Sequence, residues 1–107
     1  MKVRIFQIAP DKDKRNLMFM NYDFTVAHGG VREEEYEKVF DDELKVNRID
    51  SIYQMFNTSL PENYTGRSMS VSDIVYAEGL GTFFCDSYGW KQLENFNQDK
   101  CPDGGVR

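Results

Sequence analysis

The stretch RIDSIYQMFN, residues 48–57, decides the class of fold, because it carries the best helical periodicity in the chain. Ile49, Ile52, Tyr53 and Phe56 fall at i, i+3, i+4 and i+7, on one face of an amphipathic helix. Asn47 is the expected N-cap, with Asp50 placed to reach back to the first turn and to favour the positive end of the helix dipole. About ten residues are too few to hold a helix in water, so the stripe must be buried against another element. The sequence on both sides is strand-like, and the helix is therefore expected to pack on a sheet.

Toward the C-terminus, Leu60–Gly66 has loop composition, and SMSVSDIVY (68–76) enters a strand that runs out at Gly79-Leu80-Gly81. Thr82–Cys85 returns, and Asp86-Ser87-Tyr88-Gly89 turns into Trp90–Leu93, which makes a three-strand meander. The closing NFNQDKCPDGGVR (95–107) has turn formers and no periodicity, and is expected to be a mobile tail after a single domain of residues 1–94.

Toward the N-terminus, KVRIFQIA (2–9) reads as a strand ended by Pro10 and the charged run Asp11–Arg15. Leu17-Met18-Phe19-Met20, an unbroken apolar run, is expected to be a second strand covered on both sides, and residues 21–31, closing in His28-Gly29-Gly30, a loop. Tyr36–Leu44, anchored by Val39 and Phe40, is read as a strand rather than a short helix. The expected fold is α+β: a curved, mostly antiparallel sheet of five or six strands with one short helix, 48–57, packed on it.

With 107 residues the chain is one domain, too small for two lobes and a cleft. Eight Phe, six Tyr and one Trp exclude a disordered segment, and no 18-residue apolar run offers a membrane span. Two cysteines and an N-terminus without an apolar signal segment point to the cytoplasm, with Cys85 and Cys101 unpaired. The net charge of −5 is concentrated in REEEYEKVFDDEL (32–44), whose acids are Glu33, Glu34, Glu35, Glu37, Asp41, Asp42 and Glu43. No basic patch for phosphate contacts is visible, so direct nucleic-acid binding is not expected, and the acidic run reads first as a solvated surface.

No constellation for catalysis stands out. His28 is the only histidine and lies in a Gly-rich loop without a partner nearby, which excludes zinc sites needing two imidazoles. Asp41-Asp42-Glu43 lacks calcium-loop spacing, and the glycines match no phosphate-binding fingerprint, so no metal and no cofactor is expected. Cys85, in an apolar strand, reads as a small buried hydrophobe. The densest group is Arg67, Ser68, Ser70, Ser72 and Asp73 with Asp86, Ser87, Tyr88 and Trp90 across the meander. It reads either as turn chemistry, with Ser and Asp side chains bonding local backbone, or as a protein-binding patch built on Tyr, Trp and Arg.

Four stretches together resemble the YodL-like family of small bacterial domains: the opening strand followed by Met20-Asn21-Tyr22-Asp23-Phe24, then Tyr53–Asn57, Gly66–Val75 and Phe84–Trp90. The specific part is Ser70-Val71-Ser72-Asp73-Ile74-Val75 with Cys85-Asp86-Ser87-Tyr88-Gly89-Trp90, although members usually carry Phe at the position of Trp90 and Leu at that of Met69. The resemblance covers most of residues 1–93. It implies a setting in mobile elements of gut Firmicutes and supplies no catalytic residue. The expected function is that of a non-enzymatic accessory protein that binds a host or element protein, of the inhibitor kind. Two alternatives are an acidic nucleic-acid mimic using residues 33–43, and a small enzyme with Cys85, or Asp73 and Asp86, in a site along the 68–90 meander.

Overall fold

A computed structural model describes residues 1–64 and 66–104. Five strands, β1 (Lys2–Ile8), β2 (Tyr36–Glu43), β3 (Ile74–Ala77), β4 (Gly81–Cys85) and β5 (Trp90–Leu93), form one antiparallel sheet in the order β2-β1-β3-β4-β5. The class is α+β, and the meander β3-β4-β5 stands as the sequence implies. β1 lies second in the sheet with partners on both sides, which is why its side chains are buried almost without interruption from Ile5 to Ile8.

Alternation along the strands makes two cores. Val3, Ile5, Val75 and Ala77 face the helix α2 (Ile49–Thr58), whose Ile52 and Phe56 are fully buried between them and Met69; Ile49 is half-buried, and Tyr53, expected in the same buried stripe, is 41% exposed beside Trp90. Phe6, Ile8, Ile74 and Phe84 face the opposite way and are covered by Leu17, Tyr36 and, less deeply, Tyr22 and Phe96. The register of β1 on β2 shifts after Ile5, which pairs with Phe40 while Phe6 pairs with Lys38. Val39 is the extra residue of that bulge, so that Val39 and Phe40, consecutive in sequence, both turn inward.

Several local expectations are corrected. Leu17–Met20 is a turn rather than a strand: the Asp13 carboxylate accepts the N–H groups of Leu17 (2.7 Å) and Met18 (3.1 Å), and Phe19 adopts φ 70°. Residues 21–31 hold a helix, α1 (Tyr22–Ala27), because Asn21 caps it by accepting the Phe24 N–H at 2.8 Å. The N-cap of α2 is Arg48, which makes no side-chain cap, rather than Asn47. Asp50 is drawn instead to the indole N–H of Trp90 at 3.1 Å. The strand expected from Ser68 starts only at Ile74, since Ser72 sits at φ 85° and breaks the extended backbone.

Residues 95–104 pack on the domain. Phe96 lies edge-on to Phe6 (5.4 Å) and Tyr36 (6.0 Å), and Pro102–Gly104 bonds to both backbone groups of Lys38, at 2.9 and 2.7 Å. This stretch is therefore part of the second core and caps the outer edge of β2 at Lys38; residues 105–107 of the expected tail lie outside the described residues.

Candidate functional site

Three loops meet beyond the end of the sheet where β1 and β4 finish. In the first, residues 13–20, Leu17 enters the core while Phe19 is turned out, 54% exposed. In the second, residues 67–73, Ser72 donates its N–H to the Cys85 carbonyl, and Cys85 donates back to the Asp73 carbonyl at 2.8 Å. Ser72 is wholly buried, and its hydroxyl accepts the Phe19 N–H at 3.0 Å while its carbonyl accepts the Tyr36 hydroxyl at 2.7 Å. In the third, the turn 86–89, Asp86 Oδ1 accepts the N–H groups of Tyr22 (3.1 Å) and Ser87 (2.9 Å), and Tyr88 at the tip is 97% exposed.

A buried polar node supports these loops from below. The Gln7 amide donates to the Arg67 carbonyl and to Asp73 Oδ2, both at 2.9 Å, and its oxygen accepts the Arg67 N–H. Asp73 Oδ2 also accepts the Ser70 N–H at 3.0 Å. Arg67 donates to the Ile8 carbonyl at 3.2 Å, and its guanidinium lies 5.2 Å over the Phe19 ring. Burial raises the Asp73 carboxyl to about 7, against the opposing pull of the Ser70 N–H, the Gln7 amide and the Arg67 guanidinium 3.7 Å away. Four large apolar or aromatic residues are exposed on these loops and on α1, Phe19, Met20, Phe24 and Tyr88, alongside the polar Ser68 and Ser87.

The polar group singled out in the sequence is thus divided between support and surface. Ser72 and Asp73 have no exposed area and hold the loops around them in place. Arg67, Ser70 and Asp86 are half-buried, whereas Ser68, Ser87 and Tyr88 are exposed. Trp90 turns to the α2 side of the sheet, edge-on to Tyr53 at 6.2 Å. Phe19, Met20 and Phe24 were hidden in a run that reads as strand and loop; the cap residue Asn21, which closes that run, is the signal that could have separated them.

The acidic stretch does not form one solvated surface. Glu35 is locked to Arg15 through both carboxylate oxygens, at 2.5 and 3.1 Å. Glu33 accepts the Asn97 N–H at 2.9 Å, which lowers its carboxyl below the usual range, and Glu37 packs against Gly104. Asp41 gathers Lys2 and Lys38 at 2.9 Å each and Arg4 at 3.3 Å. Burial works against its ionised form, but the three cations prevail and lower the carboxyl to about 2. Asp42, on the other side of β2, accepts from Asn63 at 3.0 Å; with Glu34 and Glu43 it is exposed.

Cys85 is 3% exposed, and burial with the nearby Asp73 and Asp86 charges pushes its thiol up to about 12, so it holds its proton at neutral pH. Cys85 and Cys101 are both free thiols. The His28 ring stacks on Phe24 at 4.1 Å and its Nδ1 lies 2.8 Å from the Phe24 carbonyl. No group of three or more His, Cys, Asp or Glu among the described residues is arranged to hold a metal ion, and none of the described helices is long and apolar enough to cross a membrane. Compared with known protein families, residues 2–96 match the YodL-like domain. No curated protein and no solved structure matches the chain.

Proposed function

The chain belongs to the YodL-like domain family, and on that premise we propose that it is a non-enzymatic accessory protein of a mobile element. It binds a host or element protein, as an inhibitor, through the loops at the end of its sheet. One observation carries the reading: Phe19, 54% exposed, is held at φ 70° by donating its N–H to the hydroxyl of a second positive-φ residue, Ser72, that is itself buried. Non-glycine residues in that backbone region cost of order 1–3 kcal/mol each and persist where the surroundings over-determine them, commonly at binding surfaces. An aromatic fixed in water against an arginine, with Met20, Phe24 and Tyr88 also exposed on these loops and α1, has the composition of an interface hot spot, already ordered before a partner arrives.

Support for the nucleic-acid mimic is weaker, because Glu33, Glu35 and Asp41 are engaged within the chain and Asp41 and Asp42 point to opposite faces. The test is capture of a partner from a gut Firmicutes lysate, followed by binding of that purified partner to Phe19→Asn and Tyr88→Ser, with the partner's own activity assayed in the presence of the wild-type chain. At least tenfold weaker binding by both variants, with inhibition by the wild type, is the expected outcome. Unchanged binding by both variants, or turnover of a substrate by the chain alone, overturns the reading.

A further inference from the structure

The two edges of the sheet are treated differently. The outer edge of β2 is capped at Lys38 by the chain itself, through the bonds between Lys38 and Pro102–Gly104. The outer edge of β5 has no backbone partner among the described residues. In the β4–β5 hairpin, Asp86 donates its N–H to the Gly89 carbonyl, which marks a hydrogen-bonded pair. Bonded and non-bonded pairs alternate from there, so Lys91 and Leu93 bond to β4 while the N–H and C=O of Trp90 and Gln92 face outward. Exposed edges are usually guarded by a proline, a bulge or a lysine reaching across them. β5 has no proline or bulge, and its one lysine, Lys91, is drawn over the Tyr22 ring at 5.4 Å.

Beside this edge runs a groove of about 410 Å³ between β5 and α1, walled by Tyr22, Val26, Val31, Leu93 and Phe96, with Glu94 on its rim. Val26 is 52% exposed, and on the other face of β5 Tyr53 is 41% exposed beside Trp90.

We propose that the open edge of β5 receives an extended, basic segment of the partner protein as a sixth strand. Its alternate apolar side chains fill the groove between β5 and α1, and its lysine or arginine residues meet Glu94. Backbone bonds to Trp90 and Gln92 give affinity, and the groove selects the side chains. The charged residues that line the groove, Glu33 and Glu94, are both acids, which favours a basic segment, and the net charge of −5 opposes a second copy of this chain. The inference rests on the docking function proposed above and names the form of the partner.

The probe is a blocked six-residue peptide, Lys-Val-Thr-Val-Lys-Val, followed by amide NMR and fluorescence anisotropy on the full chain, with a Glu-for-Lys peptide as comparison. The expected result is displacement of the Trp90 and Gln92 amide signals, at least tenfold weaker binding of the Glu peptide, and at least tenfold loss in Gln92→Pro. Glu94→Lys, which leaves the backbone intact, is expected to reverse the preference between the peptides and serves if Gln92→Pro fails to fold. Absence of binding, or binding indifferent to Glu94→Lys, overturns the proposal, as does a concentration-dependent dimer in sedimentation that Gln92→Pro abolishes, since the occupant is then a second copy. A captured partner that needs Phe19 and Tyr88 but ignores Gln92→Pro and Glu94→Lys overturns the strand while leaving the docking function standing.

Discussion

The hydroxyl of Ser72 receives the backbone N–H of Phe19 at 3.0 Å, so that one buried positive-φ residue fixes another that faces solvent. Ser72→Ala removes the acceptor and keeps the strained backbone, and is expected to cost about 1–3 kcal/mol, whereas Ser72→Gly relieves the strain and is expected to cost less. Urea unfolding of the two variants checks the order. Glycine proving the worse substitution would show that the φ of Ser72 is not under strain.

Phe19→Asn is expected to keep stability within about 1 kcal/mol of the wild type, since asparagine tolerates the left-handed region and half of the ring lies in water already. Its partner binding is expected to collapse. A variant that unfolds easily and binds poorly would instead assign Phe19 a structural role.

The carboxyl of Asp73 stands at about 7 in the fold, raised chiefly by burial, and near 4 in an unfolded chain. Between those values the folded state holds a proton that the unfolded state has released, so this residue makes stability fall as pH rises from about 4 to about 7 and level off above. Asp73→Asn is expected to remove that slope and to gain on the wild type at pH 8 compared with pH 5. Denaturant titrations at the two pH values decide it, and parallel pH profiles would refute it.

Asp41 has the opposite sign. Its carboxyl is lowered to about 2 by Lys2, Lys38 and Arg4 despite burial, so its contribution is complete above pH 4 and is lost as pH falls toward 2. Asp41→Asn is expected to cost about 1 kcal/mol at pH 7, since solvent screens the partly exposed cations, and progressively less below pH 4. Thermal melts across that range measure the difference, which should shrink with acid.

Phe96→Ala is expected to destabilise by about 2–3 kcal/mol, because the ring closes the second core against Phe6 and Tyr36. Removal of residues 95–107 should cost at least as much. A truncated chain as stable as the whole would return this stretch to the status of a tail.

Ile52→Asp is expected to abolish cooperative melting, since an unpaired charge at this fully buried position of α2 costs several kcal/mol against a total of order 5–15. A soluble variant with a sharp transition would detach α2 from the core.

The α+β class, Ile52 and Phe56 as the buried face of α2, the β3-β4-β5 meander and the family were legible in the chain because each depends on local spacing: apolar residues at helical or alternate positions, and turn formers between them; Tyr53, on the same spacing, lies at the edge of that face and is exposed. Phe19 was not legible. Its run of four apolar residues is split by Asp13 and Ser72, one four and one 53 residues from its bonding partner, and no local pattern records a bond of that range. For the same reason Asp73, which by composition belongs on a polar surface, lies under it: Gln7, 66 residues away, brings the hydrogen bond that makes its burial tolerable. Tertiary structure alone likewise decided that Asp41 would gather three cations, that Phe96 would close a core, and that one sheet edge would be capped at Lys38 and the other left open. Apart from the Lys38–Asp41 pair, three residues apart, each of these is a contact between segments distant in sequence, whose stabilisation appears only once the sheet has brought them together.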